Sequence, residues 1–223
     1  MKGESMRKSI LSVMLLGAVL VGSTVSAASP QSYEATYAVS GEATGKMLKK
    51  LICSDSGATC EITSHTTVHK AFFHKDIHRT ADLSITGNDV TQVSMAKSEG
   101  DDTATPATLS SGQYGALGAL FTVRFQLMHA LPLIPLQFIG KDSQVSTMTF
   151  SAEKTLVSIK TPAGDFDTVK VVGSNANKAG VIYYLDPTQA YMMVKAETIE
   201  NDQAVLTVLL TSEGEASTEE STK

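Results

Sequence analysis

Residues 155–172 read Thr-Leu-Val-Ser-Ile-Lys-Thr-Pro-Ala-Gly-Asp-Phe-Asp-Thr-Val-Lys-Val-Val. Apolar and β-branched residues lie on both sides of Thr161-Pro162-Ala163-Gly164, where proline presets φ and glycine tolerates unusual backbone angles. The pattern predicts two antiparallel strands, 155–160 and 166–172, joined by a tight turn. The same alternation continues outward. Strands are expected at 145–151, 181–185, 191–199 and 204–211, with turn residues at 152–154, 173–175, 186–188 and 200–202. Connections this short favour antiparallel neighbours and leave no room for crossover helices.

The first half of the chain repeats the theme. Strands are expected at 33–40, 45–53, 60–69, 82–85 and 90–96, and Thr86-Gly87-Asn88-Asp89 makes a good hairpin turn. Residues 97–106 are polar and acidic, which reads as an exposed loop. One helix is expected between Ser111 and His129. Leu117, Leu120, Phe121, Arg124, Phe125 and Met128 recur at three- and four-residue spacing, and all but Arg124 build an apolar face. Ser110 or Ser111 would cap its start and Pro132 would end it. Residues 133–139, broken by Pro135, suit an edge strand at best. The expectation is a mainly β, antiparallel meander of about eleven strands interrupted by one helix.

The ends read differently. Lys2, Arg7 and Lys8 precede an apolar run over residues 10–21, and Val25-Ser26-Ala27 supplies small residues for signal peptidase. The run is shorter than the roughly 20 residues that span a bilayer. Residues 1–27 are therefore expected to be a signal peptide, and the mature protein to be periplasmic or secreted, with no transmembrane segment left. No cysteine sits just past the cleavage site, which argues against a lipid anchor. Residues 28–211 suit a single β domain, and residues 212–223, rich in serine, threonine and glutamate, read as a disordered acidic tail.

The formal charge of the whole chain is −5. Cleavage removes Lys2, Arg7, Lys8 and Glu4, leaving about −7, a balance that disfavours nucleic acid or an anionic surface as partner. The two cysteines, Cys53 and Cys60, flank turn-forming residues 54–59 and so are expected to close a hairpin with a structural disulfide. Their spacing is not the Cys-x-x-Cys of redox proteins.

No nucleophile elbow, zinc-protease helix or phosphate loop occurs, so no catalytic residues and no cofactor are expected. Four of the five histidines, His65, His69, His74 and His78, lie in one stretch. On a hairpin turning at Ala71-Phe72, His69 would face His74 and His65 would face His78, within reach of one zinc or copper ion. Ala71-Phe72-Phe73 is poor turn material, however, so solvated positions on an outer face are the favoured reading and no metal site is assigned. The helix and the run after it concentrate apolar side chains. Leu120, Phe121, Arg124, Phe125 and Met128 are therefore the candidate lining of an apolar ligand cavity, with Arg124 near the rim because an unpaired buried charge is costly.

Residues 160–171 also resemble the most recognisable stretch of a bacterial exported family, domain of unknown function (DUF) family 3108, whose pattern is roughly Thr-Pro-x-Gly-x-Phe-x-Thr-x-Lys. Residues 181–186, 191–194 and 204–210 look like its later strands. Residues 33–37 with Gly45 resemble its opening pair, and residues 118–124 its helix. The chain departs from the pattern at Met192-Met193, where a proline is usual, and at Tyr183 or Tyr184, where tryptophan is usual. The family has no established activity, so the resemblance implies architecture and export alone. At the level of fold, the chain is also similar to periplasmic half-barrels that carry lipids or lipoproteins. The resulting expectation is a curved half-barrel sheet covered by one helix. Its favoured role is non-catalytic binding of a lipid, a lipoprotein acyl chain or another apolar envelope component. A ligand-free structural or interaction protein and a histidine metal module are the alternatives.

Overall fold

The computed structural model describes residues 30–100, 102, 106–140, 143–176 and 179–214. The expected signal peptide, residues 1–27, and residues 215–223 of the expected tail lie outside the described residues.

In chain order the elements are β1 (Tyr33–Gly41), β2 (Thr44–Cys53), β3 (Thr59–Lys70), β4 (Phe73–Thr86), β5 (Asp89–Glu99), β6 (Ala107–Thr108) and β7 (Gln113–Tyr114). Then follow α1 (Ala116–Met128), β8 (Leu136–Ile139), β9 (Val145–Thr161), β10 (Gly164–Ser174), β11 (Gly180–Asp186), β12 (Met192–Glu200) and β13 (Gln203–Gly214). They form one open, curved sheet in the order β6-β5-β4-β3-β2-β1-β13-β12-β11-β10-β9-β8-β7. Its pairs are antiparallel except for β7 and β8, which are parallel and joined through α1.

Thirteen strands form rather than eleven. The expected 145–151 and 155–160 strands are one strand, β9. Ala152-Glu153-Lys154 does not turn the chain but bulges it: Leu156 pairs with Val169 and Ala152 with Val171, so three residues of β9 face Lys170 alone. The short β6, β7 and β8 add the remainder. Strand β13 also runs to Gly214, pairing Glu213 with Ala35, so the first residues read as tail are sheet.

Helix α1 begins at Ala116, later than expected, and neither Ser110 nor Ser111 caps it. Its N-cap is Gly115, which makes no side-chain cap of its own. Instead the side chain of Gln92 on β5 accepts the Gly115 N–H at 2.8 Å. A Cβ on Gly118 would lie 2.0 Å from that Gln92 oxygen, so glycine is what lets the helix approach β5. The helix closes as a Schellman turn. Ala130 adopts φ 51°, its N–H donates to the Leu127 carbonyl, and the Leu131 N–H donates to the Gln126 carbonyl.

Residues 118–126 are buried without interruption. A helix lying on a sheet buries one stripe; one buried all round is surrounded. Here α1 sits inside the curl of the sheet and divides the core. Ala119, Leu120 and Val123 pack with Tyr37, Val171, Leu185 and Leu210 on one side. Phe121 and Phe125 pack with Leu51, Ile62, Leu83 and Val90 on the other.

Candidate functional site

The interior face of the sheet follows from strand alternation. Ala35, Tyr37 and Val39 of β1, Lys49 and Leu51 of β2, and Cys60, Ile62, Ser64 and Thr66 of β3 are buried. Lys49 is in register with Ser64, and Ser64 with Arg79 of β4. A row of Lys49, Ser64 and half-buried Arg79 therefore crosses the interior face.

Lys49 is 4% exposed. Its ammonium meets the Met193 sulfur at 4.0 Å and lies 5.9 Å from the centroid of the Tyr37 ring. Burial, reinforced by the charges of Arg124 and Arg79, lowers its pKa from 10.5 to about 7. Tyr37 donates to the Met193 carbonyl at 3.0 Å, and burial holds its phenol well above the usual value.

Arg124 of α1 is a further interior cation. Rather than lying near the rim, it is 4% exposed. Its two terminal nitrogens donate to the Tyr33 hydroxyl at 2.9 Å and to the Ala190 carbonyl at 3.1 Å. The guanidinium carbon stands 4.9 Å from the centroid of the Tyr33 ring. Left-handed angles at Ala190 and Tyr191, φ 47° and 55°, belong to the turn that presents this carbonyl. The charge is thus met by dipoles and a π face, which lowers the cost of burying it at that position. Arg124 Nε, Ser64 Oγ and Thr66 Oγ1 are buried and have no hydrogen-bond partner among the described residues.

The other candidate lining residues are core. Leu120 belongs to one apolar cluster. Phe121 and Phe125 belong to the other, with Met128 packed partly buried against it. Helix side chains meet sheet side chains on both flanks, so these residues fill the concavity.

Cys53 and Cys60 are disulfide-bonded and are register partners across β2 and β3, as the spacing suggested. The four histidines are also paired as the hairpin reading required: His65 opposite His78 and His69 opposite His74. The turn that looked unsuitable forms with Ala71 at φ 52°. It is held by continuous pairing from Thr59 with Ser84 to Lys70 with Phe73, which outweighs the local cost of one left-handed residue. Phe72 and Phe73 project into solvent at its tip. Asp76 sits between the histidine pairs. It accepts from Thr67 Oγ1 at 2.6 Å and lies 3.0 Å from His74 Nε2 and 3.5 Å from His65 Nε2. The Thr67 and His74 hydrogen bonds hold its carboxyl below the usual carboxylate range. Among the described residues, no group of three or more His, Cys, Asp or Glu side chains is placed to hold a metal ion.

A second exposed feature was not anticipated. Residues 151–156 of β9, around its bulge, are exposed on both faces, while on the paired strand Thr168 is buried and Phe166 packs against the core. Strand β8 pairs with β9 only from Val145 to Met148. Among the described residues, no strand pairs with the outer edge of β9 from Thr149 to Thr161. The only sequence signal for this edge is the run of polar residues flanking Leu156, which marks exposure but not which side is unpaired.

Together the geometry defines a β-barrel-like, unclosed antiparallel sheet wrapped round one helix. A β-barrel-like protein of domain of unknown function DUF1849 from Brucella abortus shares this fold, with a TM-score of 0.54 and 8% identity over 84% of this chain and 98% of that chain. MucB aligns with a TM-score of 0.38 and 7% identity over 87% of this chain and 57% of its own. The Pseudomonas aeruginosa MucA/MucB complex gives a TM-score of 0.41 and 10% identity over 84% and 53%. No family model and no curated protein matches the sequence. The resemblance to DUF family 3108 thus gains no support, while a β-barrel-like family of unknown function fits the architecture.

Proposed function

We propose that this chain is an extracytoplasmic, non-catalytic interaction protein that engages an extended segment of a partner protein along the outer edge of β9. One observation carries the reading: among the described residues, the edge of β9 from Thr149 to Thr161 stands without a strand partner, and residues 151–156 on it are exposed. Unpaired N–H and C=O groups on such an edge are a template for strand addition. Lys154 and Lys160 on this edge would discourage self-pairing, while Leu156, 51% exposed, offers an apolar contact. Export is supported by the signal-like residues 1–27 and by the Cys53–Cys60 bridge, which suits an oxidising compartment.

A second reading keeps the carrier role, and a specific observation favours it. Lys49 and Arg124 are buried with no carboxylate at ion-pair distance among the described residues, beside the unpaired hydroxyls of Ser64 and Thr66. The anionic group of an amphiphile would neutralise Lys49 beside the hydroxyl of its register partner Ser64, though an acyl chain would have to displace core side chains around α1.

One experiment separates the two. A photo-crosslinking residue at Leu156 in the exporting cell should give discrete protein adducts, and the same residue at exposed Val93 on β5 should not. Organic extraction of the purified mature protein should release no stoichiometric lipid. Absence of adducts at position 156, or a stoichiometric anionic lipid in the extract, would overturn the interaction reading, and the lipid would establish the carrier in its place.

A further inference from the structure

The β3–β4 hairpin carries a grid of functional groups on its outer face. Three register pairs, His65 with His78, Thr67 with Asp76 and His69 with His74, follow one another along the two strands. We propose that His69 and His74 form a two-nitrogen chelate for a divalent transition-metal ion, with Asp76 as the carboxylate that orients His74.

The geometry is that of a bite. His69 Nδ1 and His74 Nδ1 stand 3.2 Å apart. Two nitrogens bound to one ion at 2.0–2.1 Å lie about 3.3 Å apart in a tetrahedron and about 2.9 Å apart at a right angle. The observed separation falls between these values, which suits the two nitrogens to one ion. The rings are tilted by 46°, which lets their in-plane lone pairs converge.

Tautomer decides whether a lone pair is available, and here Asp76 decides the tautomer. His74 Nε2 lies 3.0 Å from Asp76 Oδ2, and a carboxylate accepts a hydrogen bond and has none to give. The His74 proton is therefore on Nε2, and Nδ1 presents its lone pair to His69. A metal-bound imidazole that donates its other N–H to a carboxylate is the usual arrangement of outer-shell support. Without metal, the His69 Nδ1 proton fills the gap as an N–H···N hydrogen bond, and an entering ion displaces it.

The neighbouring pair is built differently. His65 and His78 stack face to face, with centroids 4.0 Å apart and planes 14° from parallel. Lone pairs in near-parallel planes do not converge on one point, so this pair is an internal control. Two protein donors leave the other coordination positions to water or to a donor from another molecule. The site therefore belongs to metals that imidazole holds well, Zn²⁺, Ni²⁺ and Cu²⁺, rather than to Ca²⁺ or Mg²⁺.

The test is calorimetric titration of the full mature protein with Zn²⁺ at neutral pH, with Cu²⁺ electron paramagnetic resonance as a second readout. One Zn²⁺ per chain should bind in the micromolar range. His69→Gln and His74→Gln should each weaken it at least about 10-fold, as should Asp76→Asn. His65→Gln and His78→Gln should leave it unchanged. The Cu²⁺ spectrum should carry coupling to two nitrogens in the wild type and to one in either chelate variant. All five side chains lie on exposed or half-exposed positions, and circular dichroism checks that each variant keeps the β spectrum. No saturable binding below about 1 mM, or wild-type affinity in His74→Gln, would overturn the chelate. Wild-type affinity in Asp76→Asn would overturn the orienting role.

Discussion

Lys49→Met should stabilise this protein, and by an amount that depends on pH in a specified way. Methionine has nearly the length of lysine and would meet Met193 and Tyr37 without a charge. The lysine is destabilising because burial and the Arg124 and Arg79 charges lower its pKa from 10.5 to about 7. At about 1.36 kcal/mol per pH unit, the native state disfavours the ammonium by roughly 4–5 kcal/mol relative to the unfolded chain. Relaxation of the surroundings trims such figures, so a gain of about 2–4 kcal/mol at pH 7 is expected. Between pH 7 and 10.5 the unfolded chain holds the lysine proton while the native state has lost it. Wild-type stability therefore rises with pH through that window. The advantage of Lys49→Met should be nearly constant below pH 7 and shrink by up to about 1.4 kcal/mol per unit above it. Urea unfolding of both proteins at intervals from pH 6 to 10, disulfide intact, measures the difference while their shared titrations cancel. A pH-independent difference would refute the reasoning, and so would a variant less stable than wild type throughout.

Two further outcomes follow from the packing. Gly118→Ala should cost about 1–3 kcal/mol in urea unfolding, because its Cβ meets the buried Gln92 amide; Gln92→Ala in the same chain should recover part of that loss, and simple additivity would show that the clash is not the cause. Cys53 and Cys60 should resist thiol reagents until reduced, and the Cys53→Ser, Cys60→Ser variant should lose about 2.5 kcal/mol on the chain-entropy model; two reactive thiols in native protein would show that the bridge is absent.

Much of the sheet was legible because strand alternation and turn chemistry are local. The cysteine hairpin and the histidine register could be derived from spacing alone. What was missed depended on distant partners. Ala71-Phe72 lacks turn residues, yet the pairing on both sides imposes the turn. Ala152-Glu153-Lys154 has the polarity of a turn but no residue that reverses a chain, and residues 153–155 form a bulge against Lys170 instead. The helix start was misplaced because its cap is Gln92, a residue of another strand. Lys49 stands next to Lys50 in sequence, and only the direction in which the sheet curls makes one of them interior. The helix was expected to cover the sheet with one apolar face, but it is buried without interruption over residues 118–126, and a buried helix carries no stripe to read. Phe121, offered as a cavity residue, lies between Leu51 and Leu83 in the core, so a charge placed there attacks the fold before it tests a ligand.

The strand order has a further consequence. Followed from β8 to β13 and on from β1 to β6, the sheet is an up-and-down meander, to which β7 is added in parallel across α1. Two things depart from that simplicity: the chain runs between the outermost strands across residues 109–112 alone, and the first and last strands meet in the middle, with Glu34 opposite Gly214. Four linking residues span at most about 18 Å, so the two rims of the open barrel are tethered to each other. A circular permutant that joined the ends near Glu34 and Gly214 and opened the chain at 109–112 would turn the most distant pairing, β1 with β13, into an ordinary hairpin. Its contact order would fall and its folding would quicken, while the rims, no longer tethered, would be free to part.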